Sequence, residues 1–205
     1  MIAIIDYGVG NLFSLKSSFA AIGADTIVTS DPDTLRQAEK LVLPGVGAFG
    51  DAAALLAEKG LDKLVKEEAG RGKPLLGICL GMQLLFEYST EYGRHQGLGL
   101  IPGGVRDIRE VVPAAYKVPH IGWNALKLPE EKPASPLFRY IKEGDCVYFV
   151  HSFAAMDCGA DTIATAEYGA DLTAAAAKGN VYGTQFHPEK SGAVGLNVLR
   201  AFCEM

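Results

Sequence analysis

Short apolar runs alternate with amphipathic stretches through the first half of the chain. Ile2–Ile5 is a run of the buried-strand type. Leu12, Leu15, Phe19 and Ile22 then recur at helical spacing, up to a Gly23 suited to a helix end. Thr26–Thr29 predicts a second strand. Ser30-Asp31-Pro32 supplies a capping side chain and a proline for the first turn of a helix. Lys40–Leu43 predicts a third strand, followed by the loop Pro44-Gly45-Val46-Gly47. Residues 51–70 carry a helical pattern broken near Gly60, residues 74–78 a fourth strand, and residues 81–88 a further helix. Strand and helix in alternation predict right-handed crossovers and a mainly parallel sheet. The second half changes rhythm. Residues 105–108, 122–128, 146–150, 162–167, 172–177 and 181–186 form closely spaced strand-like runs and predict an antiparallel extension. Residues 194–202 close the chain as a helix, and the Pro-rich piece 129–136 is expected to be a surface loop.

The sequence has 205 residues, enough for one α/β domain over residues 1–205 with a well-buried core and little room for a second. Nearly half of it is apolar (49%) and 21% is charged, a balance that excludes a disordered chain. The net charge of -5, with no face rich in Lys and Arg, argues against a nucleic-acid partner. No apolar run approaches the ~20 residues that span a bilayer, so no membrane partner is expected. The N-terminus reaches Asp6 without a basic leader, and a cytoplasmic, reducing setting follows as the default. Cys79, Cys146, Cys158 and Cys203 show no CxxC spacing, and the four histidines are scattered, so no metal site is expected.

The chemistry concentrates at Gly77-Ile78-Cys79-Leu80-Gly81, where a strand runs into a helix with a cysteine at the joint. This is the thiol counterpart of the G-x-S-x-G elbow. The glycines let two backbones approach where a Cβ would collide, and the nucleophile is expected in a strained conformation above the sheet. The helix that follows favours thiolate at Cys79 and points the Leu80 N–H where an oxyanion forms. Taken alone, Cys79 reads equally as a buried structural thiol. His187-Pro188-Glu189 lies at the end of a strand. Glu189, two residues on, is expected on the same face of an extended segment, accepting from one ring nitrogen and leaving the other for the thiol proton. The plainer alternative is a strand-end histidine and a helix-capping glutamate. Both Cys79 and His187 fall at carboxyl ends of strands, where α/β sites gather, and together they make a Cys-His-Glu triad. The Gly-rich loop from Leu43 to Gly50 can aim an N–H at an oxyanion. It lacks the G-K-[ST] of a phosphate loop, and Asp6-Tyr7-Gly8-Val9-Gly10-Asn11 lacks the third glycine of a dinucleotide site, so no cofactor is called for.

Cys79-Leu80-Gly81-Met82-Gln83 and His187-Pro188-Glu189 resemble the class I (triad) glutamine amidotransferases. With Asp6-Tyr7-Gly8-Val9-Gly10-Asn11, Pro44-Gly45-Val46-Gly47-Ala48-Phe49, His120-Ile121-Gly122-Trp123-Asn124, Tyr148-Phe149-Val150-His151-Ser152 and Lys190-Ser191, the resemblance narrows to the branch of glutaminase subunits that serve imidazole glycerol phosphate synthases. It implies a flavodoxin-like α/β fold with helices on both faces of the sheet. It implies attack of Cys79 on L-glutamine, assisted by His187 and Glu189, and release of ammonia from a glutamyl thioester. By the same resemblance the oxyanion meets the N–H groups of Leu80 and, after a peptide rearrangement, Val46. Gln83 and Glu91 hold glutamine, Glu91 at the α-amino group, with main-chain groups of Gly47, Ser152 and Phe153. The implied partner is a (β/α)₈-barrel cyclase of histidine biosynthesis in a heterodimer, with Asn11, Trp123, Tyr148 and Lys190 near the interface.

An acceptor elsewhere also follows from chemistry: ammonia at neutral pH is mostly protonated and unreactive, and one sheet leaves no space for an acceptor site. From the residues alone, Trp123 serves as an interface anchor or as core packing. An anthranilate- or pyridoxal-phosphate-type glutaminase, and a non-catalytic domain on the same fold, stay as alternatives at this point.

Overall fold

The structure, a computed structural model, describes residues 1–130 and 134–205. The elements of the first half follow the pattern closely: β1 (Ile2–Ile5), α1 (Leu12–Ala21), β2 (Thr26–Thr29), α2 (Pro32–Gln37), β3 (Lys40–Leu43), α3 (Phe49–Glu58), α4 (Leu61–Gly70), β4 (Leu75–Ile78) and α5 (Leu80–Leu84). Local chemistry explains the boundaries. Asp31 caps α2, its carboxylate accepting from the Thr34 N–H at 2.8 Å, and Pro32 stands at the first turn. Gly60, at φ +68, separates α3 from α4. There follow β5 (Tyr88–Ser89), β6 (His95–Gln96), β7 (Gly104–Asp107), β8 (His120–Lys127), β9 (Cys146–His151), β10 (Phe153–Met156), β11 (Thr162–Glu167), β12 (Asp171–Lys178), β13 (Val181–Thr184) and α6 (Gly192–Cys203).

Among the described residues, nine strands form one sheet in the order β2-β1-β3-β4-β13-β12-β11-β8-β9. β2, β1, β3, β4 and β13 run parallel, and β12, β11, β8 and β9 extend the sheet antiparallel. Alternate residues of the parallel strands face opposite layers. Ile2, Ile4, Val42, Leu76 and Ile78 pack with Leu15 and Phe19 of α1 and with Val198, Leu199 and Phe202 of α6. Ala3, Ile5, Leu41, Leu43 and Leu75 pack with Leu35, Leu56, Leu61 and Val65 of α2–α4. Each fully buried aliphatic or aromatic side chain contributes about 1.5–3 kcal/mol of burial, so both helical layers are firmly seated.

The structure corrects four expectations. The helix expected over residues 81–88 ends at Leu84, because carbonyls it would need are taken by tertiary partners: Leu98 N–H donates to Leu84 and Gly97 N–H to Glu87. Tyr88 instead enters β5, which with β6, β7 and β10 makes a second, four-stranded sheet whose two- and four-residue strands carry no readable alternation. The last sheet strand stops at Thr184 rather than Phe186. Residues 188–190 are a 3₁₀ turn, not an extended segment. The expected loop over 129–136 lies partly outside the described residues.

Candidate active site

Three neighbouring parallel strands, β3, β4 and β13, direct their carboxyl ends at one place. Leu43 pairs with Gly77, and Ile78 with Thr184. Pro44, Cys79 and Gln185 are therefore the first or second residues to leave the sheet, side by side. Cys79 sits at φ 55, ψ -112, a conformation that costs a non-glycine residue about 1–3 kcal/mol and is maintained by its surroundings. Its N–H donates to the Thr184 carbonyl at 2.7 Å, and its carbonyl accepts from Gln83 N–H. The elbow glycines are sterically required. A Cβ on Gly81 would lie 1.8 Å from the Leu43 carbonyl oxygen, and one on Gly77 would lie 2.6 Å from the Gly81 oxygen.

His187 is held from both sides. Its N–H donates to the Tyr148 carbonyl at 3.0 Å, and its own carbonyl accepts from Ser191 Oγ at 2.6 Å, while Ser191 Oγ in turn accepts from Tyr148 N–H. Nδ1 lies 2.8 Å from Glu189 Oε1, both side chains almost wholly buried. The 3₁₀ turn brings this contact about, where an extended chain was expected to do so. Burial alone would push the imidazole down. The Cys79 side chain, within hydrogen-bonding reach, and the Glu189 carboxylate outweigh it and hold the imidazole up to about 9. The ring therefore keeps a second proton at neutral pH, between a sulfur and a carboxylate.

A cavity of about 400 Å³ opens over this group, lined by Val46, Gly47, Cys79, Leu80, Gln83, Glu91, Ser152, Phe153, His187 and Lys190. The residues singled out for nucleophile, base, oxyanion and substrate thus meet on one hollow. Glu189 stands behind His187, and Asn11, Trp123 and Tyr148 lie off its lining. Several of these groups are already engaged. Glu91 Oε2 accepts from the Phe49 N–H at 2.6 Å, capping an α3 that Ala48 cannot cap. The Ser152 carbonyl accepts from Ile108 N–H, and the Phe153 carbonyl from Gln83 Nε2 and His151 Nδ1. A larger hollow, of about 680 Å³, lies around Arg106, Cys158 and Thr173. There the Cys158 sulfur faces the Thr162 and Thr173 hydroxyls at 3.5 and 3.7 Å.

Trp123 and Tyr148 are cross-strand partners on β8 and β9, edge to face with centroids 6.1 Å apart, and the Lys190 ammonium lies 5.8 Å from the Tyr148 ring. Trp123 is 55% exposed, which decides against core packing. Asn11 caps α1, accepting from Ser14 N–H, and α1 packs against the Pro188–Lys190 turn.

Sequence reasoning missed three residues. Tyr7, fully buried, donates its hydroxyl to the Pro44 carbonyl at 2.8 Å and so anchors the Gly-rich loop. Burial, then the proximity of Cys79, pushes its hydroxyl well above the ordinary range. His151 lines the cavity with Nδ1 on the Phe153 carbonyl and Nε2 3.0 Å from His120 Nδ1, and burial holds it down to about 4. Gln185 reaches the Cys79 sulfur. In the sequence Tyr7 and His151 stand out only as members of longer motifs, and Gln185 only as part of the strand-like run 181–186.

Residues 3–204 match the family described as Glutamine amidotransferase class-I. The chain belongs to the class I glutamine amidotransferases. Within this amidotransferase family it is similar to proteins named imidazole glycerol phosphate synthase subunit HisH. That of Bacillus cereus (strain G9842) is 47% identical over 203 residues, covering 98% of this chain and 93% of the relative. That of Sulfurimonas denitrificans is 48% identical over 204 residues, covering 98% and 97%. Among solved structures, PurLQS from Thermotoga maritima superposes with a TM-score of 0.77 at 20% identity, covering 99% of this chain and 97% of that one. A crystal structure of a glutamine amidotransferase does so at 0.76 and 19%, covering 100% and 98%. Both likenesses establish the amidotransferase fold: an α/β protein with a large, initially parallel central sheet.

Proposed function

We propose that this enzyme is the glutaminase subunit of an imidazole glycerol phosphate synthase, in which it hydrolyses L-glutamine to glutamate and ammonia and passes the ammonia to a cyclase subunit in histidine biosynthesis. The observation that carries the assignment is the similarity to proteins of that name, which runs over nearly the whole length of both chains. The site geometry supports the chemistry. The Cys79 sulfur adds to the carboxamide carbon, and the oxyanion is held by the N–H of Leu80 and, after a peptide rearrangement in the Gly-rich loop, of Val46. His187, protonated and oriented by Glu189, delivers a proton to nitrogen, the C–N bond breaks and ammonia departs. Water, deprotonated by the neutral ring, then cleaves the thioester. Gln83, Glu91, Gly47, Ser152 and Phe153 hold glutamine. Glu91, with Oε2 committed to α3, meets the α-amino group through the rest of its carboxylate.

In this reading residues 1–205 are one domain acting in the cytoplasm, and the partner is a (β/α)₈ barrel docked on Asn11, Trp123, Tyr148 and Lys190. The test is turnover of the chain alone, with the cyclase, and with the cyclase plus its nucleotide ligand. Cys79→Ala is expected to abolish glutamine-dependent synthesis and leave ammonia-dependent synthesis intact. Glutamine turnover by Cys79→Ala would overturn the nucleophile.

A further inference from the structure

Gln185 leaves β13 two residues before His187 and is fully buried. A buried primary amide is costly unless both its ends find partners. Its main-chain N–H donates to the Ala174 carbonyl at 2.8 Å. Its side chain lies between two groups of the site: Oε1 is 3.0 Å from Gln83 Nε2, and Nε2 is 3.8 Å from Cys79 Sγ.

The direction in which this amide points is fixed by a chain of partners. The Phe153 carbonyl can only accept, and it lies 3.0 Å from the Gln83 amide, so Gln83 turns its NH₂ toward it. The same NH₂ also faces Gln185, which must answer with its oxygen. That leaves Gln185 with its own NH₂ toward the sulfur. The reversed arrangement would set Gln83 Oε1 against the Phe153 carbonyl and turn the Gln185 oxygen onto a nucleophile that becomes negative. The sulfur therefore has a donor on its buried side in addition to His187.

We propose that Gln185 is a positioning residue for the Cys79 nucleophile, held in its donating orientation by Gln83 and the Phe153 carbonyl. The proposal rests on Cys79 being the nucleophile. A donor at this place favours the charged sulfur and fixes its rotamer under the cavity. It also connects the sulfur to Gln83 and Phe153, both lining the substrate cavity, so that a ligand on those groups reaches the nucleophile through one amide.

The test uses the cyclase complex with Gln185→Met, which keeps the volume and removes the donor, and Gln185→Glu, which still accepts from Gln83 but turns an acceptor to the sulfur. The expected result for Gln185→Met is a kcat lower by about 10- to 100-fold, the effect of losing one hydrogen bond to a charged group, with KM changed about threefold or less. Iodoacetamide labelling of Cys79 is expected to rise at higher pH than in the wild type, and further still in Gln185→Glu. A partly unfolded variant lowers the amount labelled in the complex fraction but not the pH at which labelling rises, so that profile reads the sulfur in whatever fraction folds. Unchanged labelling profiles in both variants would overturn the proposal. Cys79→Ala is the control that separates the two readings. If it is inactive while Gln185→Met matches wild type, Gln185 has no such role and the nucleophile stands. If it is active, the nucleophile assignment itself falls.

Discussion

The proposed triad of Cys79, His187 and Glu189 is a matter of single atoms, and its behaviour with pH follows from them. His187 is held up to about 9 in the fold, against 6.5 for the free side chain, so its charged form is the one the fold favours. That contribution to stability is fully present below about pH 6.5 and is lost as pH rises toward 9. Thermal unfolding between pH 6 and pH 10 is expected to show this loss in the wild type and a smaller one in Glu189→Gln, where Cys79 alone holds the ring up. Turnover is expected to fall above about pH 9, as the ring loses the proton that leaving ammonia requires. Glu189→Gln removes one of the two groups that hold that proton. It is expected to lower kcat about 100-fold or more and to move the alkaline limb of the pH–rate profile down by at least a unit, measured with saturating glutamine. Cys79, His187 and Glu189 were legible because their neighbours in sequence are part of the device: glycines at fixed offsets and a carboxylate two residues away. Gln185, Tyr7 and His151 were not legible, because their partners, Cys79, Pro44 and Phe153 or His120, lie far along the chain or are bare carbonyls that no side-chain pattern marks.

At the scale of elements, the elbow is a steric fit of β4, α5 and the loop after β3. Gly81→Ala forces a Cβ onto the Leu43 carbonyl, backbone against backbone, so nothing flexible can give way. The expected outcome is a loss of about 3 kcal/mol or more, seen as a markedly lower midpoint in urea unfolding or as failure to accumulate folded protein. The long amphipathic helices and the buried parallel strands were readable from periodicity and caps, because each carries its own signal over four to twelve residues. The early end of α5 was not. Its apolar run Leu84-Leu85-Phe86 is equally buried as helix or as turn, and the choice fell to hydrogen bonds from residues 97–101. The turn at residues 188–190 is similar. The spacing predicts the pairing of His187 with Glu189 but not the 3₁₀ conformation that makes it, since i and i+2 side chains meet by either route.

For the whole molecule, β8 and β9 at the end of the sheet present Trp123 and Tyr148 outward beside Lys190, next to the mouth of the cavity. Trp123→Ala is expected to weaken cyclase binding by about 2 kcal/mol, a roughly 30-fold rise in Kd by titration calorimetry, while leaving the unfolding temperature of the free chain nearly unchanged, because the ring is exposed. Local spacing, capping and the steric need for glycine carry the fold class, the positive-φ elbow at Cys79 and the pairing of His187 with Glu189, and all of these are readable in the chain itself. Folding in three dimensions places β13, about a hundred residues downstream, beside β4, and brings Gln83, Gln185 and Phe153 together behind the sulfur. It also decided that Trp123 faces outward. These depend on sheet order and register, set by how all the strands bury their two faces at once, and no local window of sequence contains that information.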